Sequence, residues 1–250
     1  MMMGSDNYQL YINSDLYGYQ YQYVRNSLQL NQGPTINSSD SVGDPVFSDI
    51  GFFSGISQTD WSWCPLVTDF DNDGFRDIII TNGFPRDVTD HDFVSFRMGS
   101  SSIASMDYTL AQIPTVKLHN YAFHNNGDLT FSNVTSKWGL EVPTFSNGAA
   151  YADLDNDGDM DVIVNNINDE ASVYENTSRD SKVNRPGYLA VKLNGDSLNV
   201  NGLGTWIELH YDGGKQQVYE QTPYRGYLST IQIEPHFGLG NVSIVDSLVI

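Results

Sequence analysis

The chain has 250 residues and a net charge of −19, from 12 basic and 31 acidic side chains. That length holds one large or two moderate domains, and the charge, with no Lys/Arg cluster anywhere, argues against nucleic acid as a partner. The single cysteine, Cys64, excludes an intramolecular disulfide and a cysteine-based zinc site, and no apolar run reaches membrane-spanning length.

The first stretch, Tyr8 to Tyr23, is Tyr-rich and strand-like, and Met-Met-Met-Gly-Ser at the start does not read as a signal peptide. A strand is expected at Leu28–Leu30, then a turn at Gly43-Asp44, then a short strand at Phe47–Ile50. Trp61-Ser-Trp63-Cys-Pro-Leu-Val67 leads as a third strand into Asp69-Phe-Asp71-Asn-Asp73-Gly74-Phe-Arg-Asp77, and Ile78–Ile80 leaves it as a fourth, buried strand. Cys64 reads as a buried thiol. Residues 84–120 form an insert. Within it, Thr89-Asp-His-Asp92 ahead of Phe93-Val-Ser-Phe96 predicts a capped helix, which accounts for His91 and Asp92 without catalysis. Gly99-Ser-Ser-Ser102 reads as a flexible break.

The pattern then recurs. Strands are expected at Tyr121–Phe123 and Phe131–Val134, followed by Asp153-Leu-Asp155-Asn-Asp157-Gly158-Asp-Met-Asp161 and a buried strand at Val162–Val164. A shift of 84 residues aligns 43–82 with 127–166 without a gap, and 14 of the 40 pairs are identical. Repeats of short strands suggest propeller blades or a β-solenoid. Because residues 84–120 have no counterpart in the second copy, the underlying unit is nearer 50 residues.

Four carboxylates within nine residues repel one another unless a cation lies among them. Alternating Asp side chains round a tight turn offer only oxygen, which suits a hard ion such as Ca²⁺ with its six to eight ligands. Position twelve is Ile80 in one copy and Val164 in the other, so neither loop supplies the bidentate glutamate of an EF-hand. The expected ligands are Asp69, Asp71, Asp73, Asp77 and the Phe75 carbonyl in the first loop. In the second they are Asp153, Asp155, Asp157, Asp161 and the Asp159 carbonyl. Two calcium ions acting as structural staples are the expectation.

After Asn176-Thr-Ser-Arg-Asp180 the pattern changes to a small all-β region. Strands are expected at Leu189–Leu193 and Trp206–Tyr211, and a hairpin at Asp212-Gly213-Gly214 leads to Lys215–Gln221. Arg225-Gly-Tyr-Leu-Ser229 and His236-Phe-Gly-Leu-Gly240 follow, with glycine-marked bends, and the sequence stops at Asp246–Ile250 in what looks like mid-strand. His124, His210 and His236 stand isolated in sequence, with His236 expected to satisfy a turn. Trp61, Trp63, Tyr224 and Tyr227 suit a sugar-stacking surface, yet core is the commoner fate of aromatics at strand positions. Asn-x-Ser/Thr triplets at Asn37, Asn133, Asn176 and Asn241 are expected by chance in so Asn- and Ser-rich a chain.

The aspartate loops with their following strands resemble FG-GAP/VCBS repeats of integrin-α-type propellers. Asn201-Gly-Leu-Gly204, Arg225-Gly-Tyr-Leu-Ser229, His236-Phe-Gly-Leu-Gly240 and Val245-Asp-Ser-Leu248 resemble an ASPIC/UnbV domain. The combination is similar to the family of cartilage acidic protein and its bacterial surface relatives, and Asp60-Trp-Ser-Trp63 and Asn120-Tyr-Ala-Phe123 fit that likeness. It implies an all-β fold: a partial β-propeller of FG-GAP/VCBS blades over 1–176, with a short helical insert at 84–120. A linker at 177–183 and a small β-rich ASPIC/UnbV-like domain at 184–250 would follow. Two blades do not close a propeller and the last domain looks cut before its final strand, so a piece of a longer protein is expected. The implied setting is secreted or cell-surface, with an extracellular protein or glycan as partner and no membrane insertion by this segment. No catalytic residue carries over, and the expected role is non-enzymatic recognition or adhesion. The alternative is the non-catalytic portion of a secreted polysaccharide-processing enzyme.

Overall fold

The computed structural model describes residues 12–13, 15–19, 25–36, 42–100, 102–180 and 185–250. Where the expected Tyr8–Tyr23 strand falls within them, residues 12–13 and 15–18 are helical or turn rather than strand; the rest of it lies outside, as does the chain between the first two strands. The chain forms two compact units: the described residues of Met1–Trp61 with Phe84–Lys117, and Ser62–Gly83 with Leu118–Ile250.

In the first unit, β1 (Gln29–Ile36) and β2 (Val42–Asp49) pair antiparallel from Gln29↔Asp49 to Ile36↔Val42, with irregular register after Asn31. The expected Gly43-Asp44 turn is therefore not a turn, because both residues lie within β2. Only the copy at Gly127 turns, where Asn125 Oδ1 accepts the Gly127 amide at 3.0 Å and φ is +76°. Beyond β2 the amides of Ser54 and Ile56 reach the carbonyls of Ile50 and Gly51, and 84 residues later Trp138 and Leu140 repeat those bonds to Val134 and Thr135.

The excursion of residues 84–117 closes on itself through a bridge between Phe84 and Val116. It carries α1 (His91–Ser100), started by Asp90 Oδ1 accepting the Phe93 amide at 2.8 Å and anchored by buried Phe93. Gly99 lies inside this helix, not in a break. The short α2 (Met106–Ala111), capped by Ser105, was not legible in the sequence.

The second unit holds two blade-like sheets. One runs β3 (Ser62–Thr68), β4 (Asp77–Asn82), β5 (Tyr121–Asn125) and β6 (Phe131–Asn133); the other runs β7 (Ser146–Ala152), β8 (Asp161–Asn166) and β9 (Ser172–Tyr174). All neighbours are antiparallel, and β3–β4 and β7–β8 share a register break at matching positions, after Ser62 and after Ser146. β4 is buried at every residue, which is why Ile78–Ile80 runs apolar without alternation, with Asp77, Thr81 and Asn82 as buried polar residues at its ends. Leu66, Phe70, Ile79, Met160, Val162 and Val164 lie in one core shared by the two sheets, and Cys64 is fully buried in it, as expected.

The sheets are cut differently from the sequence repeat. The strands at 121–125 and 131–133 pair onto β4 of the preceding loop, whereas β7 and β8 begin a new sheet. Each 84-residue register therefore spans the last strand of one sheet and the first two strands of the next.

The C-terminal part of this unit contains β10 (Gly187–Ala190), β11 (Trp206–Tyr211), β12 (Lys215–Glu220), β13 (His236–Gly240) and β14 (Val245–Val249), ordered β12-β11-β14 with β10 paired to β13. Asp212 and Gly213 both take positive φ, as a tight hairpin between β11 and β12 requires. Its core is Val191, Ile207, Leu209, Tyr211, Tyr219, Phe237 and Leu239. Residues 225–229 are a loop closed by a Tyr224–Thr230 bridge, and Tyr224 and Tyr227 are exposed rather than core. Trp63 is half-buried, donates to the Gly83 carbonyl at 2.6 Å and packs on Tyr227. Among the described residues no helix is long and apolar enough to cross a membrane.

Candidate metal centre

Each aspartate loop links two paired strands, β3 to β4 and β7 to β8, and the two loops fold alike. Asp69 accepts the amides of Asp73 and Gly74 at 3.0 and 2.7 Å; Asp153 accepts those of Asp157 and Gly158 at 3.1 Å each. Asp77 accepts the Phe70 amide and, from the next strand, that of Asn125. Asp161 accepts the Leu154 amide and that of Asn176. The first and last aspartates of each loop thus fasten its backbone from inside. Asn72 and Asn156 sit at φ of +59° and +62°, a left-handed conformation that Asn tolerates better than most residues. Gly74 and Gly158 take φ of +101° and +93°, so the turn needs both residue types, not glycine alone.

Carboxylate oxygens of Asp69, Asp71 and Asp77 lie within 4.8 Å of one another, as do those of Asp153, Asp155 and Asp157. Asp161 is not drawn into the second group. The Asp159 side chain faces away, its Oδ2 accepting from Ser178 Oγ and the Arg179 amide at 3.1 Å each. Phe75 projects its ring against Gly127. Any part played by these two residues is therefore through the backbone.

The electrostatics suit a bound cation. Burial pushes the Asp69 carboxyl up to about 8 and the Asp77 carboxyl up to about 7, against the partial relief of backbone amides. Asp73 and Asp155 are also raised, by desolvation first. Asp71 Oδ1 is buried without a hydrogen-bond partner. A buried carboxylate oxygen left over in a ring of carboxylates is the donor that a divalent cation satisfies.

Two residues that look isolated in sequence belong to this centre. His124 on β5 places Nδ1 3.2 Å from Asp71 Oδ2 and 3.3 Å from Asp77 Oδ1. His236 on β13 places Nε2 2.6 Å from Asn72 Oδ1, so it satisfies a turn, though one 164 residues away. Asn72 Nδ2 in turn donates to the Gly158 carbonyl at 3.0 Å, which ties the first loop to the second. β13 lies directly on the first loop. The Gly240 amide donates to the Asn72 carbonyl at 2.7 Å, and a Cβ at Gly238 would overlap the Asp69 carboxylate. The second loop is covered by Tyr188, whose ring fills the space a Gly158 side chain would need; Tyr188 stacks on His236 and lies under the Arg179 guanidinium.

The loop after β12 also meets β7 and the start of the second loop. The Gln232 amide donates to the Tyr151 carbonyl at 3.0 Å, Gln232 Oε1 accepts the Asp153 amide at 2.8 Å, and Ser229 Oγ accepts the Ala149 amide at 3.0 Å. On the other side of the first loop, Phe70, Lys137, Trp138, Met160, Tyr174 and Glu175 line a cleft of about 490 Å³, with Asp71 on its wall.

Two family models match the sequence. One, for an FG-GAP-like repeat, covers residues 91–164; the other, for ASPIC and UnbV, covers residues 195–250. The chain carries an FG-GAP-like repeat followed by an ASPIC and UnbV domain. No curated protein matches it. The FG-GAP match takes in the second aspartate loop and ends inside β8, and the first loop lies before it. The ASPIC and UnbV match spans β11 to β14, including the β13 residues that sit on the first loop.

Proposed function

We propose that this protein is a calcium-stapled recognition module working outside the cell, in which Ca²⁺ in the two aspartate loops holds the blades and the ASPIC and UnbV domain together. The observation that carries this reading is the contact of β13 with the first loop: Gly238 against Asp69, and His236 and Gly240 on Asn72. A cation in that loop neutralises carboxylates on which another domain is built, so its effect is on assembly rather than on chemistry. Asp69, Asp71, Asp73 and Asp77 would hold one ion with the Phe75 carbonyl. Asp153, Asp155, Asp157 and Asp161 would hold the other with the Asp159 carbonyl. When bound, the ion supplies positive charge to a ring of partly buried acids.

The role is proposed to be non-enzymatic. The regularly spaced carboxylates are committed to fastening loops, and a pair in contrasting environments across a cleft, as glycoside hydrolysis needs, is not evident among the described residues. FG-GAP repeats are typical of extracellular proteins, which supports secretion or surface display with a protein or glycan as ligand. The cleft beside Trp138 and Tyr174, with Lys137 and Glu175 on its walls, offers aromatic faces and both signs of charge for such contacts.

The test is calcium titration of the EDTA-treated protein by calorimetry, alongside its melting temperature. Two bound ions and a higher melting temperature are expected. An unchanged melt with no bound calcium would sink the proposal.

A further inference from the structure

The two loops differ in one neighbour. In each repeat an asparagine amide reaches back to the last aspartate of the loop, Asn125 to Asp77 Oδ1 at 2.9 Å and Asn176 to Asp161 Oδ1 at 2.8 Å. Their side-chain amides repeat as well, donating to the carbonyls of Arg76 and Met160. The residue before each is thereby fixed as equivalent in position: His124 in the first repeat, Glu175 in the second. The first repeat carries an imidazole where the second carries a carboxylate.

We propose that the first loop is a mixed nitrogen–oxygen site that takes a borderline transition-metal ion such as zinc in preference to calcium, with His124 Nδ1, Asp71 and Asp73 as ligands. The inference rests on the reading of both loops as divalent-cation sites and assigns the first a different ion. Donor atoms of His124, Asp71 and Asp73 all lie within 4.8 Å of one another. The separation of His124 Nδ1 from Asp71 Oδ2, 3.2 Å, is that of ligands sharing one ion. Two donors about 2.0–2.1 Å from zinc at a tetrahedral angle stand roughly 3.4 Å apart. An ordinary His–Asp hydrogen bond does not account for the contact. Nδ1 is buried and meets neither carboxylate at hydrogen-bonding geometry, and Asp71 Oδ1 beside it is also buried and unpartnered. Imidazole nitrogen is a poor ligand for calcium and a good one for zinc, so His124 shifts the preference of this loop alone.

The test is equilibrium dialysis of the metal-stripped chain against zinc in millimolar calcium, with bound metals counted by mass spectrometry. Wild type is expected to hold one zinc and one calcium. His124→Glu, which gives the first loop the residue of the second, is expected to hold two calcium ions and to bind zinc at least about tenfold more weakly. His124→Asn is the second variant should the first fail to fold, with the same loss of zinc expected. Zinc binding that survives both variants would place zinc at other histidines and overturn the proposal. Two calcium ions and no zinc on wild type would overturn it while leaving the calcium reading intact. No bound metal of either kind would overturn both.

Discussion

Asn72 and His236 are 164 residues apart, both buried, and joined at 2.6 Å between Oδ1 and Nε2. Asn72 also donates to Gly158, so one side chain connects the two aspartate loops and the ASPIC and UnbV domain. Asn72→Ala leaves His236 Nε2 and the Gly158 carbonyl without their partner. The expected cost is about 2–4 kcal/mol, two unmade buried hydrogen bonds at roughly 1–2 kcal/mol each, read from urea denaturation in calcium. A loss under 0.5 kcal/mol, within the scatter of ordinary surface substitutions, would show that the junction is not held here.

Calcium removal should loosen the same junction. Extracellular calcium modules bind with dissociation constants of roughly 10⁻⁴–10⁻³ M, so millimolar calcium adds on the order of 0.4–1.4 kcal/mol per site. EDTA is expected to lower the melting temperature and to bring protease cleavage within 69–77 and 153–161. Cleavage confined to other segments would argue against the loops as the weak point of the calcium-free state.

Two glycines separate close packing from mere flexibility. At Gly238 an added Cβ would overlap the Asp69 carboxylate and lie 2.7 Å from the Asn72 Cα, while at Gly99 nothing lies within 4 Å. Gly238→Ala is expected to destabilise by about 1–3 kcal/mol or more, because backbone must shift. Gly99→Ala, in α1, is expected to stabilise by about 0.4–1 kcal/mol. Thermal melts of the two variants should move in opposite directions.

Burial, with the nearby Arg179 charge, lowers the His236 pKa from its usual 6.5 to about 4. The unfolded chain therefore binds a proton between these values that the folded chain refuses. The stability that neutral His236 contributes is complete above pH 6.5 and is lost as pH falls toward 4, by about 3 kcal/mol in all. Urea midpoints measured across that window should fall with pH more steeply in wild type than in His236→Gln. Equal slopes would contradict the burial of a neutral imidazole.

Local chemistry made much of this legible in the sequence. Alternating aspartates before an apolar run identify the loop and the strand leaving it, and β3, β4, β7 and β8 follow from period and repetition. The cut between sheets did not, because hydrogen-bond partners are chosen across the chain: Tyr121–Asn125 pairs with the strand before it rather than with the loop after it. His124 and His236 looked solitary for the same reason, since each finds its partner 47 or more residues away. Tyr224 and Tyr227 were read against strand statistics although they sit on a loop, where exposure carries no cost in pairing. The helix at Met106–Ala111 is too short to show a period.

The offset between repeat and sheet has a consequence for how such a chain is divided or lengthened. The stretch from β6 to β7 is a covalent seam, since the strand before it closes one sheet and the strand after it opens the next. A protein trimmed at the repeat boundary would leave a row of bare amides and carbonyls on both sides of the cut. One trimmed within the repeat, between Asn133 and Ser146, would part whole sheets. Duplicating the 84-residue register would stitch each new copy to its neighbour, so that growth and cohesion arrive in the same step.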